Sequence, residues 1–354
     1  MGLAREKYPL PAKREKVYRR LEQAVGESQL HEITRIEIPN GNRIFVKRED
    51  TYPSGSGFDP VYLHLFRVAE HRGFIEPGVT PVVESSTGNA GIAFAYYAPK
   101  LGFHEPQPPT VVIHEDAPKV RIDEIKRLGA QVVFSPSGQY TRGYVQKLEE
   151  VLAEDKAKKG GKLGENKQRL YAITKIIPEA REPYHDLADE IVRQARQQGA
   201  DKIHYFVGIV GSGTSMSGIG EQLITHNQNV KLVAADPVET QTTKALVETG
   251  EPLQFETMPH QVWGASTFGL PLGKLNINVE PGFLKHLSTE TFTAADWKRC
   301  MRLLEEKEGL PLGRSSGGAL AVALKLAKKV KNKTILILGY DSKGRYDPED
   351  SRIK

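Results

Sequence analysis

Three short turns rich in glycine and hydroxyl side chains each stand between an apolar stretch and a helical pattern. They are "ESSTGNAG" (84–91), "VGSGTSMSG" (210–218) and "GRSSGG" (313–318). A turn at a helix N-terminus presents main-chain N–H groups and hydroxyls to a negatively charged group. The chemistry that these residues predict is therefore the binding of a carboxylate or a phosphate.

The second turn has the strongest phosphate-binding pattern of the three. Gly211 and Gly213 permit close approach of the backbone, and Ser212, Thr214 and Ser215 add hydroxyls. No Gly-Lys-Ser/Thr sequence ends the turn, so it is not a nucleotide-triphosphate P-loop. The third glycine of the dinucleotide-binding pattern is also missing, which argues against that class of ligand.

The other two turns have more than one interpretation. The first could be an ordinary strand–helix turn capped by hydroxyls, or a carboxylate site to which Asn89 adds an amide. In the third, a serine could cap the helix or hydrogen-bond a heteroaromatic nitrogen.

The elements that position these turns are short apolar runs alternating with helical patterns. The runs are residues 80–84, 110–115, 130–135, 203–210, 231–236 and 333–340. Continuous apolar runs indicate strands covered on both faces, and strand–helix alternation predicts parallel sheets. Glycines at 102, 129, 199 and 309 are predicted to end helices, and Thr293 with Asp296 to begin one.

The length of 354 residues accommodates two such domains. We expect an α/β protein of two doubly wound, mostly parallel-sheet domains with the ligand cleft between them. The expected boundaries are 1–44 for an N-terminal arm, helix and first strand that pack on the C-terminal domain, 45–178 for the domain with the first turn, and 179–354 for the domain with the other two turns.

Composition narrows the class of protein. No apolar run reaches a membrane span, and the polar N-terminus is not a secretory signal. The single cysteine, Cys300, excludes an internal disulfide and a cysteine metal cluster; we expect it to be buried, and expect a cytoplasmic protein without a metal site. The net charge of +5 arises from interspersed charges, so a small anionic ligand is favoured over nucleic acid.

Four motifs in order resemble the fold-type II pyridoxal-phosphate enzymes, especially the cysteine synthase, cystathionine β-synthase and tryptophan synthase β-like group. The first resembles their Ser-Gly-Asn-Thr-Gly substrate loop, and the second their Gly-Thr-Gly-Gly-Thr phosphate loop. "EGLPLGRSSGG" (308–318) and "DSKGRY" (341–346) resemble the two later motifs, with Lys343 apparently inserted in the last. The resemblance covers about Glu32 to Tyr346.

The resemblance implies a role for each motif. Ser86, Thr87 and Gly88 would bind the substrate, and Asn89 would contact the 3′-oxygen of pyridoxal phosphate. The turn Gly211, Ser212, Gly213, Thr214 and Ser215 would bind its phosphate, and Ser315 its ring nitrogen. The implied reaction is β-elimination or β-replacement on an amino acid, by a lyase or transferase that commonly forms a homodimer.

The catalytic lysine of this family is missing from the corresponding segment. Where the family has Asn-Pro-x-Gly-Ser-x-Lys-Asp-Arg, this chain has "YPSGSGFDP" (52–60), which places Phe58 at the lysine and Pro60 at the arginine. The lysine binds the cofactor covalently and moves the α-proton of the substrate. Phenylalanine does neither, so any bound pyridoxal phosphate is expected to be held non-covalently.

Substitute groups are present but weakly favoured. Lys343 follows a predicted strand, although a surface lysine is the better interpretation. Tyr62 and His64 are expected to pack in the core, and Lys47 matches a second lysine of the family. Three hypotheses stay open: an enzyme with an unconventional base, a pseudoenzyme that binds pyridoxal phosphate or an amino-acid-like ligand, and a site for another phosphorylated compound.

Overall fold

The computed structural model describes residues 6–86, 88–162, 164–253, 260–265 and 275–347, without the side chains of 175 and 176. Its helices, in chain order, are α1 Ala12–Val25, α2 Asp59–His71, α3 Asn89–Lys100, α4 Lys119–Arg127, α5 Tyr140–Lys159, α6 Glu182–Gln197, α7 Thr214–His226, α8 Thr242–Thr249, α9 Pro281–Leu284, α10 Ala294–Glu308 and α11 Arg314–Lys329. Its strands are β1 Leu30–Glu32, β2 Arg43–Lys47, β3 Val82–Ser85, β4 Thr110–His114, β5 Gln131–Ser135, β6 Tyr171–Ala172, β7 Tyr205–Ile209, β8 Lys231–Pro237, β9 Leu287–Phe292 and β10 Thr334–Leu338.

The chain forms two compact units. Of the described residues, the N-terminal unit comprises 6–26, 58–183 and 346–347, and the C-terminal unit comprises 27–57 and 184–345. Each unit has its own sheet, so each is described by itself.

The sheet of the N-terminal unit has four parallel strands in the order β5-β4-β3-β6. Its core includes Val83 and Val112 of the sheet packed with Leu148 and Leu152 of α5. Since β4 and β5 lie on one side of β3 and β6 on the other, the strand order reverses at β3. Ligands in such sheets bind beyond the carboxyl ends of the strands at this kind of reversal.

The sheet of the C-terminal unit has six strands in the order β1-β2-β10-β7-β8-β9, and only the β1–β2 pairing is antiparallel. Its core joins Val207 and Ile337 of the sheet to Leu320 and Val322 of α11. The chain proceeds from β7 to the neighbouring β8, whereas β10 lies on the other side of β7. The reversal here is between β7 and β10.

The predicted fold class is confirmed: the protein is α/β, with two mostly parallel sheets. All six apolar runs overlap strands, and Thr293 and Asp296 form the predicted capping box of α10. The sequence did not predict β9, because its middle residues are polar and only half-buried at a sheet edge. The two-residue β6 is too short to give a periodic signal.

The division into units differs from the expected boundaries most at residues 45–57 and at helix α1; residues 179–183 and Tyr346 also belong to the N-terminal unit. Residues 45–57 belong to the C-terminal unit, because β2 pairs with β10 over its whole length. Helix α1 belongs to the N-terminal unit rather than the C-terminal one. There the buried guanidinium of Arg67 on α2 pairs with Glu15 and Glu22 of α1, which fixes the helix in place.

Two further features of the sequence can be compared with the structure. Cys300 is buried, as predicted, and burial raises the pKa of its thiol to about 11. Among the described residues, no helix combines the length and the apolar character that a bilayer crossing requires.

Candidate functional site

The turn after β7 is the first part of the candidate site and lies in the C-terminal unit. Gly213 has a φ of +88° and immediately precedes α7. A Cβ atom at Gly213 would lie 2.4 Å from Cβ of Ile277, and its backbone angle is one that favours glycine. The main-chain N–H groups of the first turn of α7 have no partner within the helix, so they are available to an anion.

The segment around Asn276 holds this turn in shape. Its main-chain N–H donates to the carbonyl of Ser212 at 2.7 Å, and its amide donates to the Thr214 hydroxyl at 3.1 Å. The hydroxyls of Ser212 and Thr214 are 2.9 Å apart. The two hydroxyls thus have defined directions, although one of them also accepts from Asn276. The sequence analysis missed Asn276 because it belongs to no glycine-rich motif.

Ser315, in the first turn of α11, lies close to the same turn through Gly264. A Cβ atom at Gly264 would lie 3.0 Å from the Ser315 hydroxyl oxygen, and one at Gly211 would lie 2.8 Å from the Gly264 carbonyl oxygen. The structure therefore brings together Ser315 and the Gly211 turn, which are about 100 residues apart in sequence. Gly264 was not predicted, because a single glycine without flanking glycine or hydroxyl residues gives no recognisable spacing.

Tyr340, after β10, connects the elements that carry these residues. Its hydroxyl accepts from the main-chain N–H of Ile209 at the end of β7, at 2.8 Å. Its own N–H donates to the hydroxyl of Ser316, the neighbour of Ser315, at 3.1 Å. Burial raises the pKa of Tyr340, so this hydroxyl stays protonated. The carboxyl ends of β7 and β10 and the start of α11 are thereby held together at the strand-order reversal.

His260 is the titratable group on the segment that includes Gly264. Burial lowers the pKa of its imidazole to about 4, because the cationic form would lose its hydration. Its Nδ1 accepts from the main-chain N–H of Val262 at 3.2 Å. At neutral pH this imidazole is uncharged and adds no positive charge to the turn.

The turn after β3 lies in the N-terminal unit. The hydroxyl of Ser86 accepts from the N–H groups of Gly88 and Gly91, at 2.9 and 2.8 Å, and so caps the start of α3. Gly88 has a φ of +141°, and a Cβ atom there would lie 2.3 Å from Cδ of Arg121. Asn89 is the first residue of α3 and is half-buried. Thr87, the third predicted residue of this loop, lies outside the described residues.

Phe58 immediately precedes α2 in the N-terminal unit and is half-buried. Its main-chain carbonyl accepts from the N–H of Tyr62 at 2.9 Å, and the two ring centroids are 6.4 Å apart. Tyr62 lies one helical turn further along and is buried, as predicted. His64 is also buried, with Nε2 3.6 Å from the Glu182 carboxylate.

Glu84 is an acidic residue that the sequence analysis passed over. It lies near the carboxyl end of β3, is fully buried, and is hydrogen-bonded by Tyr62 and, at 2.7 Å, by the N–H of Ser85. Burial raises the pKa of its carboxyl to about 8, although both hydrogen bonds act to lower it. The available signal was its position, since an acid ending the apolar run "TPVVE" is unusual in a strand buried on both faces.

Two lysines named above are engaged elsewhere in the C-terminal unit. The ammonium group of Lys47 is fully buried and donates to the carbonyl of Ser28 at 2.6 Å and to Gln194 at 2.8 Å, and also to Glu190. Lys343 follows β10, its side chain is half exposed, and it pairs with Glu305 on α10.

Comparison with known proteins assigns the family. Residues 21–341 match the model of a family described as "Pyridoxal-phosphate dependent enzyme". The chain belongs to this family. The match covers most of the chain, and its members depend on the cofactor for which the family is named.

Curated relatives include the cysteine synthase of Staphylococcus aureus, 27% identical over 327 residues that cover 92% of this chain and 94% of the relative. The cystathionine beta-synthase of Apis mellifera is 27% identical over 89% of this chain, which spans only 57% of the relative's length. Among solved structures, a hydrogen sulfide-producing enzyme of Fusobacterium nucleatum superposes with a TM-score of 0.75 over 92% of this chain and 99% of its own, at 22% identity. This structural likeness shows the shared fold.

The residues of the C-terminal unit fit the phosphate of pyridoxal phosphate. Gly211 and Gly213 lack the side chains that would crowd the turn, and α7 begins at the same point. A dianionic group is stabilised at such a helix start by N–H groups and by the helix dipole. The donor set is therefore consistent with the family's cofactor.

Proposed function

We propose that this protein binds pyridoxal phosphate together with an amino acid, and that it does so without a covalent link to a lysine. In this proposal the turn Gly211–Ser215 binds the phosphate, and Asn89 and Ser315 hydrogen-bond the ring substituents. Ser86, Thr87 and Gly88 bind the carboxylate of the amino acid. The family assignment and the geometry of the Gly211 turn support the proposal.

The residue at position 58 is the main support for binding of pyridoxal phosphate without a covalent link. The segment "YPSGSGFDP" resembles the family's lysine segment without a gap, and the retained Gly55, Ser56 and Asp59 support this register. The side chain of Phe58 has no nitrogen that could bond to the cofactor, and its ring contacts the ring of Tyr62. The Lys47 and Lys343 ammonium groups already have carboxylate partners, which supports the absence of a substitute lysine.

Bound pyridoxal phosphate stabilises negative charge that develops at the α-carbon of an amino acid. The residues of this chain would contribute orientation: the Gly211 turn by its N–H groups, and Ser315 by a hydroxyl next to Gly264. Proton transfer by a positioned side chain accelerates such reactions roughly 10²- to 10⁴-fold, and Phe58 cannot provide it. A lyase or transferase of the cysteine synthase type would therefore need another proton-transferring group.

A second function is favoured by the same residue. A pseudoenzyme would keep the cofactor turn and use the occupied site as a regulatory signal, as a homodimer of the kind that the family commonly forms. Phe58 and Pro60 together replace the lysine and the arginine of the family segment, and this double replacement favours the second function. Thr214 and Ser215, in place of a glycine and a threonine, leave another phosphorylated ligand as a third candidate.

The proposal is tested by titrating the purified chain with pyridoxal phosphate and, separately, with pyridoxal. Binding is followed by the rise in unfolding temperature and by quenching of tryptophan fluorescence. We expect saturable binding of pyridoxal phosphate and binding weaker by roughly 100-fold or more for pyridoxal, because two or more charge-assisted hydrogen bonds are lost. Equal affinities for the two compounds, or no binding of either, would overturn the phosphate assignment.

A further inference from the structure

Residues 276–278, with the sequence Asn-Ile-Asn, lie along α7 in the C-terminal unit, and we call them the strap. At its first residue, Asn276, the strap makes the two hydrogen bonds to the turn before α7 that are described above. At its last residue, Asn278, the main-chain N–H donates to the hydroxyl of Ser217 at 2.7 Å. The side-chain amide of Asn278 donates to Oε1 of Glu221 at 2.8 Å. The strap therefore contacts α7 well beyond the turn itself.

The strap holds both ends of the first turn of α7, through the hydroxyls of Thr214 and Ser217. The N–H of Ser217 donates to the carbonyl of Gly213 at 2.9 Å, as in the first full turn of a helix. At such a helix start, the N–H groups of the three preceding residues, here 214–216, have no partner within the helix. These N–H groups are the donors that an anion would use, and the strap fixes the backbone on either side of them.

Glu221, to which the strap is bonded, is also held from α6. Its Oε2 atom is 2.9 Å from Nε2 of His185, while its Oε1 atom accepts from Asn278. The side chains of His185 and Glu221 are 35% and 24% exposed. Glu221 lies two helical turns beyond Thr214, roughly 10 Å along the helix axis. A partly exposed histidine–glutamate pair is thus linked to the turn before α7 through a single asparagine.

We propose that Asn278 and Glu221 are positioning residues for the phosphate-binding turn. Through the strap, they hold the N–H groups at the start of α7 in the arrangement that a phosphate requires. The inference rests on the proposed function and deepens it, because it adds residues that set the phosphate affinity without touching the phosphate. Donors that are fixed before the ligand arrives lose little freedom on binding, whereas donors that must first be ordered bind more weakly.

The experiment inverts the donor and the acceptor of the bond between Asn278 and Glu221. The substitution Asn278→Asp places two carboxylates against each other, so the strap should separate from α7, although its acceptor for the N–H of Glu280 is kept. Adding Glu221→Gln returns a donor opposite the new acceptor, and the amide oxygen can still accept from His185. The matched control is Asn229→Asp, which makes the same change at an exposed asparagine after α7.

Each chain is titrated with pyridoxal phosphate and with pyridoxal, and the ratio of the two Kd values measures the contribution of the phosphate. We expect Asn278→Asp to reduce the preference for pyridoxal phosphate roughly tenfold, because a charge-assisted hydrogen bond is lost. The double variant Asn278→Asp with Glu221→Gln should recover most of the preference. The control Asn229→Asp should keep it.

A second variant, Asn278→Ala, separates positioning from repulsion and from a loss of stability. It removes the amide without adding a charge and should also reduce the preference; a loss seen only with Asn278→Asp would be repulsion of the phosphate and would overturn the inference. A residue that only stabilises the fold would weaken the binding of both compounds alike and leave their ratio unchanged, which would overturn it too, as would no recovery in the double variant. If Asn278→Asp does not fold, Asn278→Ala decides.

The outcomes separate this inference from the proposed function. Failure of the natural chain to bind pyridoxal phosphate would contradict the function itself. Binding by the natural chain, with a preference that neither Asn278 variant changes, would leave the phosphate turn in place and contradict only the roles of Asn278 and Glu221.

Discussion

The turn before α7 and the start of α2 have diverged to different degrees from the family pattern. The first keeps the geometry for a phosphate: a left-handed glycine, a helix start and hydroxyls held by Asn276. The second, in the proposed alignment, has an aromatic ring where the family has its reactive amine; that ring contacts Tyr62, which hydrogen-bonds the buried Glu84. In the proposed function, ligand binding is kept while the covalent chemistry is lost.

The two regions also differ in how they are stabilised. The Gly211 turn is fixed largely by close backbone approach, of the Gly264 carbonyl and of Ile277 to its glycines, in addition to the bonds from Asn276. The start of α2 is fixed by side chains, through the contact of Phe58 with Tyr62 and the bond from Tyr62 to Glu84. Side chains can be exchanged one at a time without rebuilding the backbone, so the second region is the easier one for evolution to alter.

The largest effect is expected from restoring the amine. The substitution Phe58→Lys should create a covalent adduct with pyridoxal phosphate, because it returns a nitrogen to the family's position. Mass spectrometry after borohydride reduction should find the adduct on residue 58. Phe74→Lys is the control, since Phe74 is another half-buried ring of the N-terminal unit, stacked on Tyr171. Binding without an adduct at residue 58 would mean that the region has changed beyond this one side chain.

The second effect concerns the retained turn. Gly213→Ala should weaken pyridoxal phosphate binding roughly 100-fold, because the added Cβ would lie 2.4 Å from Ile277 and displace the N–H groups. Gly250→Ala has a similar φ of +82° with no atom within 4 Å of the new Cβ, so it carries the backbone strain alone. Both variants should lose about 1 kcal/mol or more of stability. Equal losses of affinity in the two would show that the contact with Ile277 is irrelevant.

The third effect, which concerns stability and not ligand binding, is a pH-dependent difference at Glu84. Its folded-state pKa of about 8 is above the unfolded value, so the stabilisation is fully present below about pH 4.5 and is lost as the pH rises through 8. Glu84→Gln does not titrate. It should therefore become more stable relative to the natural chain between pH 5 and 9, by up to several kcal/mol.

Urea unfolding at pH 5, 7 and 9 measures this difference, with Glu115→Gln as the exposed control. Parallel pH profiles for the natural chain and Glu84→Gln would show that ionising the Glu84 carboxyl costs the folded protein little stability. That result would contradict the raised pKa of Glu84.

The sequence predicted the fold and the Gly211 turn because both depend on local patterns. Apolar runs specify buried strands, and glycines with hydroxyls specify a helix-start turn whatever surrounds them. Gly264, Asn276 and Glu84 could not be found in this way. Each matters only through a neighbour far along the chain: Ser315 for Gly264, Thr214 for Asn276, and Tyr62 for Glu84.

The domain boundary was missed for a similar reason. Strand β2 precedes the first turn in sequence, and the expected boundary between residues 44 and 45 placed its second half in the N-terminal domain. Its partner β10 is almost 300 residues further on, and parallel pairing over that separation has no local signature.

The central claim is that the chain keeps the cofactor site without a reactive lysine. The most direct test saturates the natural chain with pyridoxal phosphate, reduces it with borohydride and maps every modified peptide against the bound amount. The account predicts saturable binding with no stoichiometric adduct on any lysine. A stoichiometric adduct on one residue, whether Lys343, Lys47 or another, would contradict it and identify the lysine that had replaced the missing one.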